Sequence, residues 1–299
     1  MNMNVYAACL VAALLIGTAA YALRLRSRGM NLSAALLALP LSVALGYGLA
    51  WGAYAVLQMN VRLSVFRFSF FGGAAGVLLG VLAGAKLTRQ SVVKCLDAYA
   101  PVFALEVAMA RAGEYFMGDV GLGHYTEVGW MCRFPFAMVN EWNEWYVAVF
   151  MLEALFALIV FAVALILERG KRQPSGMMLE RVIFMLCVPQ VLCEQLRTMT
   201  MSWGFVRVEQ VLCAVILLAL LILGCVRLFR AGERGAAVFV PIVLQALFSG
   251  IVMAMEFALD GKIQMPIPLV WAIMIAALVA MLAVQHWVIS RRIERSSAA

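Results

Sequence analysis

The sequence predicts an all-α protein, a polytopic transmembrane helix bundle of about nine spans with its N-terminus outside and its C-terminus in the cytoplasm. Three observations lead there. Of 299 residues, 65% are AVILMFWYC and 13% are DEKR, where soluble domains carry roughly a quarter charged residues. Mean hydropathy is +0.96. The apolar residues fall in runs of ~20, the length that crosses a bilayer as a helix.

In chain order the runs cover 4–23, 33–57, 68–85, 95–117, 146–167, 178–199, 208–230, 236–258 and 267–289. The first lacks a basic leader and is followed by Arg24, Arg26 and Arg28, the order of an uncleaved first span rather than a signal peptide. Spans two and three carry Gly46, Gly48, Gly52, Gly72, Gly73, Gly76, Gly80 and Gly84, small faces that let helices approach closely. Pro40 and Pro189 are expected to kink spans two and six. Runs such as LLALLILGCV in span seven are apolar on every face, which excludes a membrane β-barrel with its strict alternation. The long connection 118–145 is rich in Trp and Tyr and is expected to lie as a flap at the lipid-water interface.

Basic residues set the orientation. The odd connections and the tail hold Arg24, Arg26 and Arg28; Lys86, Arg89 and Lys94; Arg169, Lys171 and Arg172; Arg227, Arg230 and Arg234; and Arg291, Arg292 and Arg295. The even ones hold only Arg62 with Arg67, Arg133, Arg207 and Lys262. The positive-inside rule puts the odd connections in the cytoplasm. The net charge of +7 therefore reports topology, and no nucleic-acid partner is expected. Seven cysteines without a CxxC pair and two histidines give no expectation of a metal or other cofactor.

An ionised side chain inside the bilayer costs roughly 3 kcal/mol on insertion scales and marks a functional-site hypothesis. Span four holds Glu106, Arg111 and Glu114, span five Glu153, span six Glu194 and Arg197, and span seven opens with Glu209 and Gln210. The predicted orientation brings Arg111, Glu114, Glu153, Glu194, Arg197 and Glu209 to one level of the outer leaflet, beside Phe71, Gly72 and Gly73. Arg111 with Glu114, and Glu194 with Arg197, are at i, i+3 on one helical face. Two readings stay open: intrahelical ion pairs that cross-link a bundle, or a cavity that receives a lipid headgroup, with both guanidiniums gripping phosphate bidentately. Arg197, near the end of its span, is expected to reach water by extending its side chain. Glu106 lies deeper, and Glu256 and Asp260 in and after span eight are expected to be solvated at the outer surface.

The residues Phe70-Phe71-Gly72-Gly73, Ala110 to Gly118 (ARAGEYFMG), Arg133 to Met138 (RFPFAM), Met151-Leu152-Glu153, Glu194-Gln195-Leu196-Arg197 and Glu209-Gln210 occur in an order that resembles the bacterial prolipoprotein diacylglyceryl transferases. The resemblance covers roughly 10–230. It implies a seven-span domain at 1–234, with two added spans and a basic tail at 235–299, in the bacterial inner membrane. It also implies a transferase in lipoprotein biosynthesis that moves the diacylglyceryl group of phosphatidylglycerol to a cysteine thiol of a lipobox-containing prolipoprotein or a related acceptor, without a cofactor. Arg111 and Gly113 fit the family's R-x-G signature, and Gly72, Gly73, Glu194, Arg197 and Gln210 fall at expected substrate-binding positions. Three positions depart: Glu114 stands where asparagine is usual, Phe71 where the family has a histidine, and Gln190 where it has an arginine. Glu114 or Glu153 is then the expected catalytic base. The alternatives are a non-catalytic phospholipid-binding relative and, less favoured because the polar groups crowd the outer leaflet, a small transporter.

Overall fold

The computed structural model describes residues 3–57, 68–140, 142–169, 174–198, 200, 202–203, 206–259 and 261–298. Arg62, Arg67, Glu141, Lys171, Arg172 and Asp260 lie outside the described residues. Among the described residues are nine α-helices: α1 (Met3–Ser27), α2 (Ser33–Leu57), α3 (Phe70–Leu87), α4 (Val92–Gly113), α5 (Val149–Arg169), α6 (Met177–Leu196), α7 (Val208–Arg230), α8 (Ala236–Leu259) and α9 (Ile267–Ala298). The chain forms a polytopic membrane helix bundle. Seven of the helices are long and apolar enough to cross a membrane; α4 and α6 are the other two. Those two carry six of the buried charged side chains: Asp97, Glu106, Arg111, Glu180, Arg181 and Glu194. A helix enclosed by other helices need not be apolar on every face.

The chain divides into two compact units, 1–182 with 196–209, and 183–195 with 210–299. In the first, α4 packs against α1, α3 and α5, and α2 packs along α3. The α2–α3 contact is close because glycines remove the side chains between the backbones. A Cβ on Gly76 would lie 2.6 Å from the Gly46 Cα, and one on Gly84 would lie 3.0 Å from the Ala34 carbonyl oxygen. Gly76→Leu is therefore expected to destabilise the protein by about 1–3 kcal/mol through overpacking, read as a lower unfolding midpoint in detergent. Gly48→Ala, which adds its methyl group to open space, serves as the neutral control.

The far end of this unit from Arg111 is tied by polar contacts. Arg24 of α1 donates to the Ala98 carbonyl of α4 at 2.7 Å and pairs with Glu168 of α5 at 2.5 Å. Asp97 of α4 accepts from the backbone N–H groups of Gly176 (2.5 Å) and Leu179 (3.1 Å). It thus satisfies donors that the start of α6 leaves without helical partners.

The connection expected as a flap is partly a sheet. Helix α4 stops at Gly113, short of the predicted 117, and continues in 3-10 turns over Glu114–Gly121 that are broken at Gly118, where φ is +69°. Three short antiparallel strands follow, β1 (Leu122–Tyr125), β2 (Ala137–Val139) and β3 (Trp145–Ala148), in the order β1-β3-β2. Ala137 pairs with Val147 and Val139 with Trp145. Span five accordingly begins at Val149, after the strand, rather than at 146. Span six ends at Leu196 rather than 199, and β4 (Ser202–Trp203) pairs with β5 (Val206–Arg207) before α7. In the second unit α8 lies against α9, with Leu221, Cys225, Val238 and Val288 forming a buried apolar cluster.

Candidate functional site: a ring of two arginines and two glutamates

Four ionised side chains converge in the first unit. Arg111 comes from the last turn of α4, and Glu114 from the first turn of the 3-10 helix that follows. Glu153 sits in the second turn of α5, and Arg197 one residue past the end of α6. Arg111 Nη1 lies 2.6 Å from Glu114 Oε1, and Arg111 Nε lies 3.1 Å from Glu153 Oε2. Arg197 Nη2 lies 2.9 Å from Glu114 Oε2, its Nε donates to Glu153 Oε1 at 3.2 Å, and Nη2 also pairs with Glu153 Oε2. Each carboxylate bridges both guanidiniums, so the four close into a ring of zero net charge. All are buried, Arg111 at 2% and Arg197 at 7% exposure.

Charge balance makes such a cluster tolerable in a low-dielectric interior, because each desolvated ion has opposite charges on two sides. One member is nonetheless under-used. Arg111 Nη2 is buried and has no hydrogen-bond partner among the described residues, and Nε makes its ion pair without hydrogen-bond geometry. The Arg111 Cζ stacks 3.6 Å above the centre of the Phe70 ring, a cation–π contact that holds the plane of the guanidinium. The arrangement presents a fixed donor edge on a cation, the group that suits an oxyanion of phosphate or carboxylate type.

The sequence reading named all four members and, of the pairings within the ring, that of Arg111 with Glu114. The i, i+3 spacing of Arg111 and Glu114 is used. Arg197 behaves differently from expectation: it lies beyond the helix, bridged through its backbone to Gly123 of β1, and its carboxylate partners are remote in sequence. It is buried in the ring instead of extending to water. Glu194 is buried at 1% and accepts from Gln190 at 3.2 Å in the second unit. Gln210 is also in that unit, accepting from Gln195 at 3.3 Å and donating to Glu256. Glu256 is therefore bonded within the protein rather than simply solvated as expected.

Three glycines expected at substrate-binding positions lie against neighbouring helices. A Cβ on Gly72 would fall 2.9 Å from the Ala53 Cβ, one on Gly73 3.6 Å from the Ala50 Cβ, and one on Gly113 2.9 Å from the Cys9 Cβ. Phe71 follows the stacking ring of Phe70 on α3. Glu106 stands apart from the ring, accepting from the Tyr99 hydroxyl, with its carboxylate in the space left by Gly17 of α1.

Two contributors were not foreseen. Tyr6 of α1 lies within electrostatic reach of Glu114, Arg111 and Arg197, and Phe70 covers Arg111. An aromatic at the start of an apolar span reads as an interfacial anchor, which conceals Tyr6. The proximity of Phe70 depends on how α3 packs, which no spacing along the chain reveals. Glu209, at the start of α7, also acts electrostatically on Arg111. Among the described residues, no three His, Cys, Asp or Glu side chains gather as a metal site.

Comparison with known proteins bears on this arrangement. The family model described as prolipoprotein diacylglyceryl transferase matches residues 1–226. A phosphatidylglycerol–prolipoprotein diacylglyceryl transferase of Listeria innocua is 27% identical over 149 residues, covering 48% of this chain and 53% of its own. The protein of that name from Clostridium novyi is 22% identical over 171 residues, covering 56% and 64%. One from Pasteurella multocida is 36% identical over 67 residues, covering 22% and 24%. The chain thus matches about half the length of the Listeria relative. With the family model spanning all of α1 to α6 and most of α7, the chain belongs to the prolipoprotein diacylglyceryl transferase family.

Proposed function

We propose that this protein takes phosphatidylglycerol into the ring and moves its diacylglyceryl group to the cysteine thiol of a prolipoprotein or a related acceptor, at the outer face of a bacterial inner membrane. The observation that carries the reading is the buried Arg111, whose Nη2 has no hydrogen-bond partner among the described residues. The names of the relatives supply the lipid and the acceptor class. The alternating basic residues of the connections support an N-terminus outside.

The chemistry needs two things: a cation for the leaving phosphate and a base for the thiol, whose thiolate is the nucleophile. In the reaction a sulfur–carbon bond forms to the diacylglyceryl group, and the carbon–oxygen bond to phosphate breaks. The thiol proton passes to the base, and the electron pair leaves with glycerol phosphate. Arg111 and Arg197 are the cations. Both carboxylates are held by guanidiniums, so an arriving phosphate competes with one of them. The displaced carboxylate, Glu114 or Glu153, is then available to accept the thiol proton in the absence of a histidine at position 71.

A second reading, a phospholipid binder without turnover, is favoured by the same closure of the ring and by Phe71. Transfer of labelled diacylglyceryl from phosphatidylglycerol to a lipobox peptide separates the two. So does rescue of a cell depleted of its own diacylglyceryl transferase. The wild-type protein is expected to transfer and to rescue, and Arg111→Ala to do neither. Wild-type protein that binds phosphatidylglycerol yet fails both assays establishes the second reading.

A further inference from the structure

Within the first unit, α1 packs along α4 and the 3-10 turns that follow it. The contacts run from Arg24 beside Ala98, through Gly17 beside Glu106, to Cys9 beside Gly113. Because Gly113 has no side chain, the Cys9 thiol comes close to the end of α4: a Cβ on Gly113 would lie 3.6 Å from Cys9 Sγ and 3.5 Å from the Tyr6 ring. Gly113 stands between Arg111 and Glu114 in the chain, immediately before the latter. Tyr6, at i, i+3 from Cys9 on one helical face, is within electrostatic reach of Cys9, Arg111, Glu114 and Arg197. The thiol therefore lies at the rim of the ion ring.

A cysteine at a helix contact is not in itself a site. Beside this one, the buried Arg111 Nη2 has no hydrogen-bond partner among the described residues, and a guanidinium edge of that kind suits a phosphate. The exposure pattern of α1 adds to it. Ala13 and Gly17 are buried and Ala12 and Ile16 are exposed, so the half-buried Cys9 stands where the protein-facing side of the helix meets its outward side. A diacylglyceryl group joined to Cys9 would have the ring on one side and the apolar outer face of α1 on the other.

We propose that the chain is itself an acceptor, and that Cys9 receives a diacylglyceryl group from phosphatidylglycerol bound at the ring. This rests on the transfer reading given above and names an acceptor for it. In the step a bond forms from Cys9 Sγ to the glycerol carbon of the diacylglyceryl group, and the bond from that carbon to the phosphate oxygen breaks. The thiol proton passes to Glu114, and the electron pair leaves with glycerol phosphate. A thiol held at the site needs no second encounter, the advantage of any intramolecular reaction.

The test follows the full-length protein by intact mass and fragment mapping, as purified and after incubation in nanodiscs holding phosphatidylglycerol with deuterated acyl chains. Wild-type protein is expected to gain the mass of one diacylglyceryl group, mapped to Cys9. Cys9→Ser is expected to lose the adduct. Cys132→Ser, which removes the half-buried thiol between β1 and β2, is expected to keep it. Arg111→Ala is expected to lose it too; should that variant fail to insert, Arg111→Met with Glu114→Gln takes its place with the same expectation. Wild-type protein that labels a lipobox peptide and carries nothing on Cys9 overturns this inference alone. Equal labelling of Cys9 in the ring variant, or of Cys132 in the wild type, also overturns it, because thiols then react without the ring. Wild-type protein that modifies neither Cys9 nor the peptide overturns the transfer reading and this inference with it.

Discussion

Arg111→Ala is expected to weaken phosphatidylglycerol binding by about tenfold to a hundredfold, the equivalent of losing one charge-assisted contact of about 1.5–3 kcal/mol. The same substitution unbalances the ring. Glu114 and Glu153 would share the single guanidinium of Arg197 in a buried site, and removing one partner of a buried pair costs about 3–5 kcal/mol. Stability and binding therefore fall together in this variant. The double variant Arg111→Met with Glu114→Gln separates them, because it leaves one cation and one anion. It should regain most of the lost unfolding midpoint while binding phosphatidylglycerol at least about tenfold more weakly than Glu114→Gln alone. Arg111→Lys should recover only part of the affinity, since an ammonium has neither the planar fork nor the flat face that lies on Phe70. A double variant that binds as well as Glu114→Gln alone would remove Arg111 from the lipid site.

Glu114→Gln should move binding and transfer in opposite directions. Its carboxylate touches both guanidiniums, at 2.6 Å and 2.9 Å, the positions that a phosphate would contest. Two like charges about 6 Å apart at an effective dielectric of about 20 repel by about 3 kcal/mol, so neutralising Glu114 should tighten phosphatidylglycerol binding by at least about tenfold. If Glu114 supplies the base, transfer in the same variant should fall by about a hundredfold or more. Glu153→Gln provides the comparison: the larger loss of transfer identifies the base. Retention of transfer in both variants would remove carboxylate catalysis. Tighter binding without transfer in any variant, wild type included, would fit a lipid binder.

The helices were legible because hydropathy and charge mark them directly: α2, α7 and α8 begin at the predicted residues. The sheet after α4 was not, since strands of three or four residues are too short to show alternation against an aromatic-rich loop. Within the site, type and depth of charge pointed to Arg111, Glu114, Glu153 and Arg197. Pairing by helical spacing is seen for Arg111 with Glu114. Arg197 meets carboxylates 83 and 44 residues away, which depends on tertiary packing. Glu256 shows the same limit: nearness to a helix end suggests water, but Gln210 reaches it first.

The backbone bridge between Arg197 and Gly123 has a consequence for entry of a ligand. Thr198 adds a second tie, its hydroxyl donating to the Leu122 carbonyl at 3.1 Å, and Gly123 has no side chain to hold the strands apart. Arg197 is thus fastened twice, by its main chain to β1 and by its guanidinium to Glu114 and Glu153. A segment fastened at both ends cannot swing aside as a hinged lid does. Whatever reaches the guanidinium edges either passes without disturbing β1 or loosens strand and ions in a single cooperative event, and in the second case amide exchange at Leu122 and Gly123 would quicken in step with admission of the lipid.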